Sequence, residues 1–266
     1  MIENYGAWDL NEAVQYYEAL RNKPEDIYES ERVFFFPLIK NARSVLDLGC
    51  AAGGTYNIIK TVNPDISYTG VDVSRGMVES ARKIFPGVDF RLSSGNTLDF
   101  PENSFDAVIA LGVLNHVPDY KALIKECYRV SRRFCLLDLP RLMPEEQQFD
   151  INKTYMILKD RFKGNRGLPE AETRVPYVLA DAGEVFDFLN GELRPERIFA
   201  KGYFGRCDKS VTIPYDQVCF TVVCLEKGTS GRCDIFADLP KEIRQRLREK
   251  NIKYTEPFEW ILGKSC

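Results

Sequence analysis

Two acids and a run of glycines set the chemistry this chain can do. Asp47 lies inside the apolar stretch Ser44-Val-Leu-Asp-Leu48, and the turn after it, Gly49-Cys-Ala-Ala-Gly-Gly54, is rich in glycine. Glycine carries no Cβ and tolerates positive φ, so such a turn lets backbone approach a ligand closely. A buried strand, a tight turn and a helix beginning at Thr55 form the shape that serves nucleotides in many doubly wound folds. Asp47 narrows the reading. A pyrophosphate would be repelled by a carboxylate two residues before the first glycine, whereas a ligand with a cationic end would be attracted. A second acid, Asp72, ends the stretch Ile66-Ser-Tyr-Thr-Gly-Val-Asp-Val73. A carboxylate at a strand end can accept two hydrogen bonds from a ribose diol.

Alternating strands and helices must hold these residues. Apolar runs predict strands at Ser44–Leu48, Ile66–Val73, Val88–Leu92, Ser104–Leu111 and Arg132–Leu139. Helical spacing fills the gaps at Thr55–Val62 and at Arg75–Ile84, the latter with Ser74 as its N-cap. This alternation predicts right-handed βαβ units and a parallel sheet. Upstream, Tyr5–Arg21 reads as a helix marked by Trp8, Val14, Tyr17 and Leu20. A second helix spans Pro24–Lys40, interrupted at Phe34-Phe-Phe-Pro37. Residues 139–179 break the alternation with Pro140, Pro144, Pro169 and Pro176, and are expected to be an insertion with a helix near Glu145–Lys163 and then a loop. A helix capped by Asp181 runs to Leu189, and strands follow at Arg197–Phe204 and Gln217–Glu226. Beyond Lys227 one helix is expected, capped by Asp238 with Pro240 in its first turn and a stripe of Leu239, Ile243 and Leu247. The domain reading is a helical lid over 1–42, a core over 43–226 and a helical tail over 227–266.

Composition fits a globular domain: of 266 residues 44% are hydrophobic and 28% charged, enough for a core and an ordinary polar surface. A net charge of −3 without a dominant basic block argues against a bulk nucleic-acid surface, although Lys159–Arg166 is a local basic stretch. No apolar run approaches the roughly 18 residues of a membrane span, and Met1-Ile-Glu-Asn4 lacks the features of a signal peptide. The expected location is the cytoplasm. The eight cysteines include no Cys-x-x-Cys pair and the single histidine is remote from them, so no metal site is expected.

The chain resembles the class I S-adenosylmethionine-dependent methyltransferases, in particular the small-molecule, ubiquinone-biosynthesis-like group. The resemblance is carried by Val45-Leu-Asp-Leu-Gly-Cys-Ala-Ala-Gly53, Gly70-Val-Asp-Val-Ser74, Gly76-Met-Val-Glu-Ser-Ala-Arg82, Phe100-Pro-Glu-Asn-Ser-Phe-Asp106 and Val113-Leu-Asn-His-Val117, in the expected order, and covers roughly Arg43 to Asp138. It implies a Rossmann-like, doubly wound α/β fold with a seven-stranded sheet, mostly parallel with an antiparallel last strand and helices on both faces. It implies S-adenosyl-L-methionine as cofactor and a small-molecule methyl acceptor. Cofactor contacts would come from Asp47 at the amino-acid end, from Gly49, Cys50, Ala51 and Gly53 in the turn, and from Asp72 at the ribose. Val73 and Met77 would sit beside the adenine, and Leu111 and Gly112 at the methionine end. Tyr17, or its neighbour Tyr16, would belong to the lid. Where similar proteins place an acid for the adenine amine, this chain reads Ser94-Gly95-Asn96, so Ser94 or Asn96 would accept that hydrogen bond. On the acceptor side His116 would act as a general base of near-neutral pKa, and Asp138, at a strand's carboxyl end, is a further candidate.

Each residue also has a structural reading. Asp47 can cap backbone amides, Gly49 and Gly53 can be turn glycines, Val73 and Met77 can be core, and His116 can hold its loop. Three other functions stay open. A nicotinamide-dependent oxidoreductase would show Gly-x-Gly-x-x-Gly, which this turn lacks. A non-catalytic cofactor-binding protein needs no further signature. An RNA or protein methyltransferase acting on a base amine would show an Asn-Pro-Pro-Tyr-like motif after the fourth strand, and none occurs; the basic tail residues Lys241, Arg244, Arg246, Arg248 and Lys250 are expected to form a solvated face.

Overall fold

The computed structural model describes residues 5–93, 95, 97–161, 174–229 and 232–256. Strands β1 (Ser44–Leu48), β2 (Ser67–Asp72), β3 (Asp89–Leu92), β4 (Phe105–Ala110) and β5 (Ser131–Asp138) pair in parallel in the order β3-β2-β1-β4-β5. Their residues are apolar on both faces because helices cover both. In β4, Ala107 and Ile109 join the cluster under α2 (Glu29–Asn41), α3 (Gly54–Val62) and α4 (Arg75–Ile84), while Val108 and Ala110 join the cluster under α5 (Tyr120–Val130). The period of two in β1 sends Asp47 to the same side as Val45, onto the face covered by α2 and α3.

The far half of the sheet is β10 (Arg197–Gly205) and β12 (Val218–Glu226). β12 lies between β5 and β10 and runs antiparallel to both, as expected. The tail is more than helical: β13 (Asp234–Asp238) adds a parallel edge strand beside β10. Short strands β6 (Arg141–Met143) and β9 (Leu179–Asp181) extend the sheet beyond β12, so among the described residues it holds ten strands where seven were expected.

Several local expectations are corrected. The first element is a 3-10 turn, Tyr5–Asp9, followed by α1 (Asn11–Ala19). Helix α2 continues through Pro37. A proline inside a helix costs roughly 3 kcal/mol, but α2 buries Phe34, Phe35, Leu38 and Ile39 completely, each contributing about 1.5–3 kcal/mol, so packing wins. The helix expected near 145–163 is absent from the described residues except for the single turn Leu158–Arg161. Residues 145–154 are irregular, Tyr155–Ile157 is a strand (β7) that pairs with β8 (Arg174–Pro176) and β11 (Val211–Thr212) in a three-stranded sheet, and residues 162–163 of the expected helix fall outside the described residues. The aromatic and β-branched residues there pair across strands instead of forming a helical stripe. Asp238 caps nothing: it accepts from Lys201 Nζ at 3.1 Å, and the final helix Lys241–Glu249 starts at Pro240 without a side-chain cap.

The basic face of that helix is docked rather than free. Asp181 caps the helix Ala182–Phe188 through Glu184 N and accepts a fork from Arg246, with Nε at 3.2 and 3.1 Å from its two oxygens. Lys250 reaches Glu184, and Arg244 and Arg248 pair with Glu256. Burial raises the Asp181 carboxyl, but the Arg246 fork and the Glu184 amide outweigh it and hold the group below its ordinary value. A depressed carboxyl adds stability above its unfolded pKa and loses it as pH falls through the folded value. We predict that Asp181→Ala lowers unfolding free energy at pH 7 by about 2–3 kcal/mol, read from urea melts, and that the gap to the unmodified chain closes below pH 4.

Candidate functional site

The two acids stand at the carboxyl ends of adjacent strands, where an open α/β sheet receives ligands. The turn between β1 and α3 is pinned to β2: Gly49 N and Cys50 N both donate to Val71 O, at 2.8 and 3.1 Å. Gly49, Ala51 and Gly53 take φ of +75°, +46° and +87°. Gly49 tolerates no side chain, since a Cβ there would lie 2.2 Å from Val113 Cγ2.

Asp72 is held from both sides. Its Oδ2 accepts from Ala51 N and its Oδ1 from Ser74 N, each at 2.9 Å. Burial still raises its pKa against those amides. Ser74 Oγ caps Met77 N at 3.1 Å and donates to Asp9 Oδ1 at 2.7 Å, and Asp9 Oδ1 also accepts from Gly76 N. The N-terminal turn is thereby fastened to the start of α4. Among the described residues the Asp47 side chain has one hydrogen-bond partner, the Tyr68 hydroxyl at 2.8 Å. Burial pushes its pKa from 3.8 to about 7, against the lowering effects of Tyr68 and of Arg21.

Two cavities meet at this edge. The first has about 790 Å³ of free space including its mouth. It is lined by Asp72, Val73, Met77 and Gly95, with Trp8 as a wall. The second, of about 1550 Å³, is lined by Asp47, Cys50 and Asp138 among others. Tyr17, Gly49, Ala51, Leu111, Gly112 and His116 line both and form the passage between them. At Gly112 (φ +75°) a Cβ would meet nothing within 4 Å.

Gly53 lines neither cavity. A Cβ there would meet Phe90 and Phe85 at 2.9 and 3.0 Å, so aromatic packing and a positive φ explain that glycine. Ser94 and Asn96 lie outside the described residues.

Both acceptor-side expectations change. His116 is half-buried where it lines both cavities, and desolvation of the imidazolium lowers its pKa from 6.5 to about 4. Its Nδ1 lies 2.8 Å from Pro176 O, which assigns the proton to Nδ1, and Nε2 then accepts from Asn115 Nδ2 at 2.9 Å. With both nitrogens engaged and its pKa lowered, His116 holds its loop and does not have the near-neutral pKa expected of it. Asp138 is not a lone acid either. Arg141 Nη1 sits 2.9 Å from Oδ1 and Nη2 3.4 Å from Oδ2, while Arg141 Nε donates to the Tyr177 hydroxyl.

Sequence reasoning missed the charged wall of the second cavity, formed by Arg21, Glu31, Arg141, Arg161 and Arg206. It also did not assign Trp8 to the site, although that residue was noted as an apolar marker. The Trp8 ring packs edge-on to His116, centroids 5.1 Å apart.

Comparison with known proteins agrees with this geometry. Residues 46–134 match the family model described as "Methyltransferase domain". The chain is 30% identical over 125 residues to the demethylmenaquinone methyltransferase of Thermotoga maritima, covering 47% of this chain and 55% of that protein. It is 33% identical over 119 residues to the ubiquinone/menaquinone biosynthesis C-methyltransferase of Desulfotalea psychrophila, covering 42% of this chain and 48% of that one. The chain thus spans about half the length of the curated relatives it matches. The N-terminal domain of EvdMO1, solved with SAH bound, superposes with a TM-score of 0.53 at 20% identity, over 75% of this chain and 81% of that one, and shares the fold. No described helix is long and apolar enough to cross a membrane. Residues 46–134 thus match a methyltransferase domain, and over about half its length the chain is similar to ubiquinone- and menaquinone-biosynthesis methyltransferases.

Proposed function

We propose that the protein transfers a methyl group from S-adenosylmethionine to a small-molecule acceptor, the cofactor reaching from Asp72 in the first cavity through the shared residues to Asp47 at the edge of the second, and the acceptor taking the remainder of the second. The observation that carries this reading is the passage shared by the two cavities, with Asp72 on one side of it and Asp47 on the other. The residues present fit the cofactor. Asp72, oriented by two backbone amides, keeps lone pairs free for a ribose diol. Val73 and Met77 offer apolar faces to a base. Asp47 is a buried carboxylate with one hydroxyl partner, and a ligand ammonium beside it would relieve the burial that raises its pKa.

When bound, the cofactor supplies a methyl group on a sulfonium, which becomes a neutral thioether as the methyl passes to the acceptor's nucleophilic atom. The protein's part is alignment and exclusion of water, and positioning of this kind contributes about 7–11 kcal/mol to lowering a barrier. Trp8 and Tyr17 close the site from the N-terminal side. His116, neutral and bonded at both nitrogens, fixes the loop between β4 and α5. The lid, core and tail division and the cytoplasmic location remain part of this proposal.

Calorimetry with S-adenosylhomocysteine, and with NADH in parallel, tests the cofactor assignment. We expect micromolar binding of the first, weakened at least a hundredfold by Asp72→Ala; binding of NADH alone, or of neither, would refute the reading. Asp47 supplies a second test. Its folded pKa of about 7 lies above the ordinary 3.8. Between those values the unfolded chain has lost this proton and the folded chain keeps it, so the contribution to stability falls as pH rises through that window and is level above it. Asp47→Asn is expected to raise the ligand-free protein's stability at pH 8, at about 1.4 kcal/mol per unit of displacement, while abolishing S-adenosylhomocysteine binding. A variant less stable at pH 8 than the unmodified chain would contradict this.

A further inference from the structure

The second cavity carries charge that methyl transfer alone does not use. Arg21 pairs with Glu31, and Arg141 with Asp138, each at 2.9 Å, so these two cations are balanced. Arg161 and Arg206 line the same cavity and have no carboxylate partner within ion-pair distance among the described residues. Arg206 is exposed at the rim. Arg161 is partly buried, and its guanidinium has no oxygen acceptor among those residues: Nε is buried without a partner, and Nη1 approaches only Met156 Sδ, at 4.0 Å. The guanidinium carbon lies 5.6 Å from the centre of the Tyr16 ring. The remaining acid nearby, Asp208, is exposed and accepts from Ser210 N and Ser210 Oγ, at 2.9 and 2.6 Å.

A guanidinium cannot discharge by losing its proton, so a partly desolvated one demands an anion. Its planar fork matches a carboxylate bidentately. A doubly charged phosphate fits less well, because Asp138, Glu31 and Asp208 line the same walls and, among the described residues, Arg161 is the one interior cation there without an acid within ion-pair distance. We propose that the methyl acceptor is a small carboxylic acid whose carboxylate docks on Arg161, with Arg206 attracting it at the rim. This rests on the methyl-transfer reading above. It makes the acceptor pocket selective for charge and leaves the uncharged part of the acceptor facing the passage at Gly112.

The test uses matched pairs of aromatic and aliphatic carboxylic acids and their methyl esters, measured by ligand-observed NMR on the full chain with saturating S-adenosylhomocysteine. Acids are expected to bind at least tenfold tighter than their esters. Arg161→Gln should remove that preference and Arg161→Lys should restore part of it, while the affinity of both variants for S-adenosylhomocysteine stays within threefold. Because that compound itself ends in a carboxylate, a tenfold loss of its own affinity in Arg161→Gln would assign Arg161 to the cofactor and overturn the proposal. Esters binding as well as acids, or no acid binding, would overturn it too. Failure of the unmodified chain to bind S-adenosylhomocysteine would overturn the underlying cofactor reading instead.

Discussion

The site is organised around two carboxylates withdrawn from water at neighbouring strand ends. Burying a charge is expensive unless it is paired or hydrogen-bonded, and the two acids meet that demand differently. Asp72 receives backbone amides from both the glycine turn and the start of α4, so its presence shapes both segments. Asp47 has only a phenol and titrates near neutrality. One acid is therefore fixed by the fold, and the other is left for a cation to satisfy. The positive φ values in the turn follow from the same arrangement, because Ala51 must present its amide to Asp72 while Gly49 passes beneath Val113.

The parallel half of the sheet and its site acids were legible in the sequence because their signals are local. Apolar runs of strand length, glycines at a turn and Ser74 before a helix depend on a few neighbouring residues. What was not legible depends on distant partners. Pro37 reads as a breaker until the four large side chains around it are seen buried against the sheet. Tyr155–Ile157 is a strand only because Arg174–Pro176 and Val211–Thr212 pair with it. His116 has the residue type and position of a base. Its chemistry was decided by the Pro176 carbonyl, 60 residues away, and by burial. The arginine wall went unseen for a similar reason: Arg21, Arg141, Arg161 and Arg206 come from four separate segments.

The two cavities divide the chemistry. The walls of the first are mainly apolar with one fixed acid, suited to a nucleoside. The second is ringed by ion pairs with a surplus guanidinium. Gly49, Ala51, Gly112 and the aromatic rings of Tyr17 and His116 are among the residues that line both, and the histidine where a base was expected has a lowered pKa and hydrogen bonds at both nitrogens. Such a site relies on geometry more than on proton transfer, which suits a reaction whose leaving group is already activated.

The clamp of Asp9 on Ser74 and Gly76 has a thermodynamic corollary. Trp8 is part of the first cavity's wall, and the 3-10 turn it belongs to is fastened to α4 by the Asp9 carboxylate and packed against Tyr17 and His116. A molecule filling that cavity touches the turn and α4 together, so it favours the closed over the open arrangement by whatever contact free energy it makes with Trp8. Linkage requires the reverse in equal measure: whatever loosens the turn weakens the ligand by the same factor. The N-terminal turn and the first cavity are thus coupled, and occupancy of that cavity can be read from protection of amides in the turn.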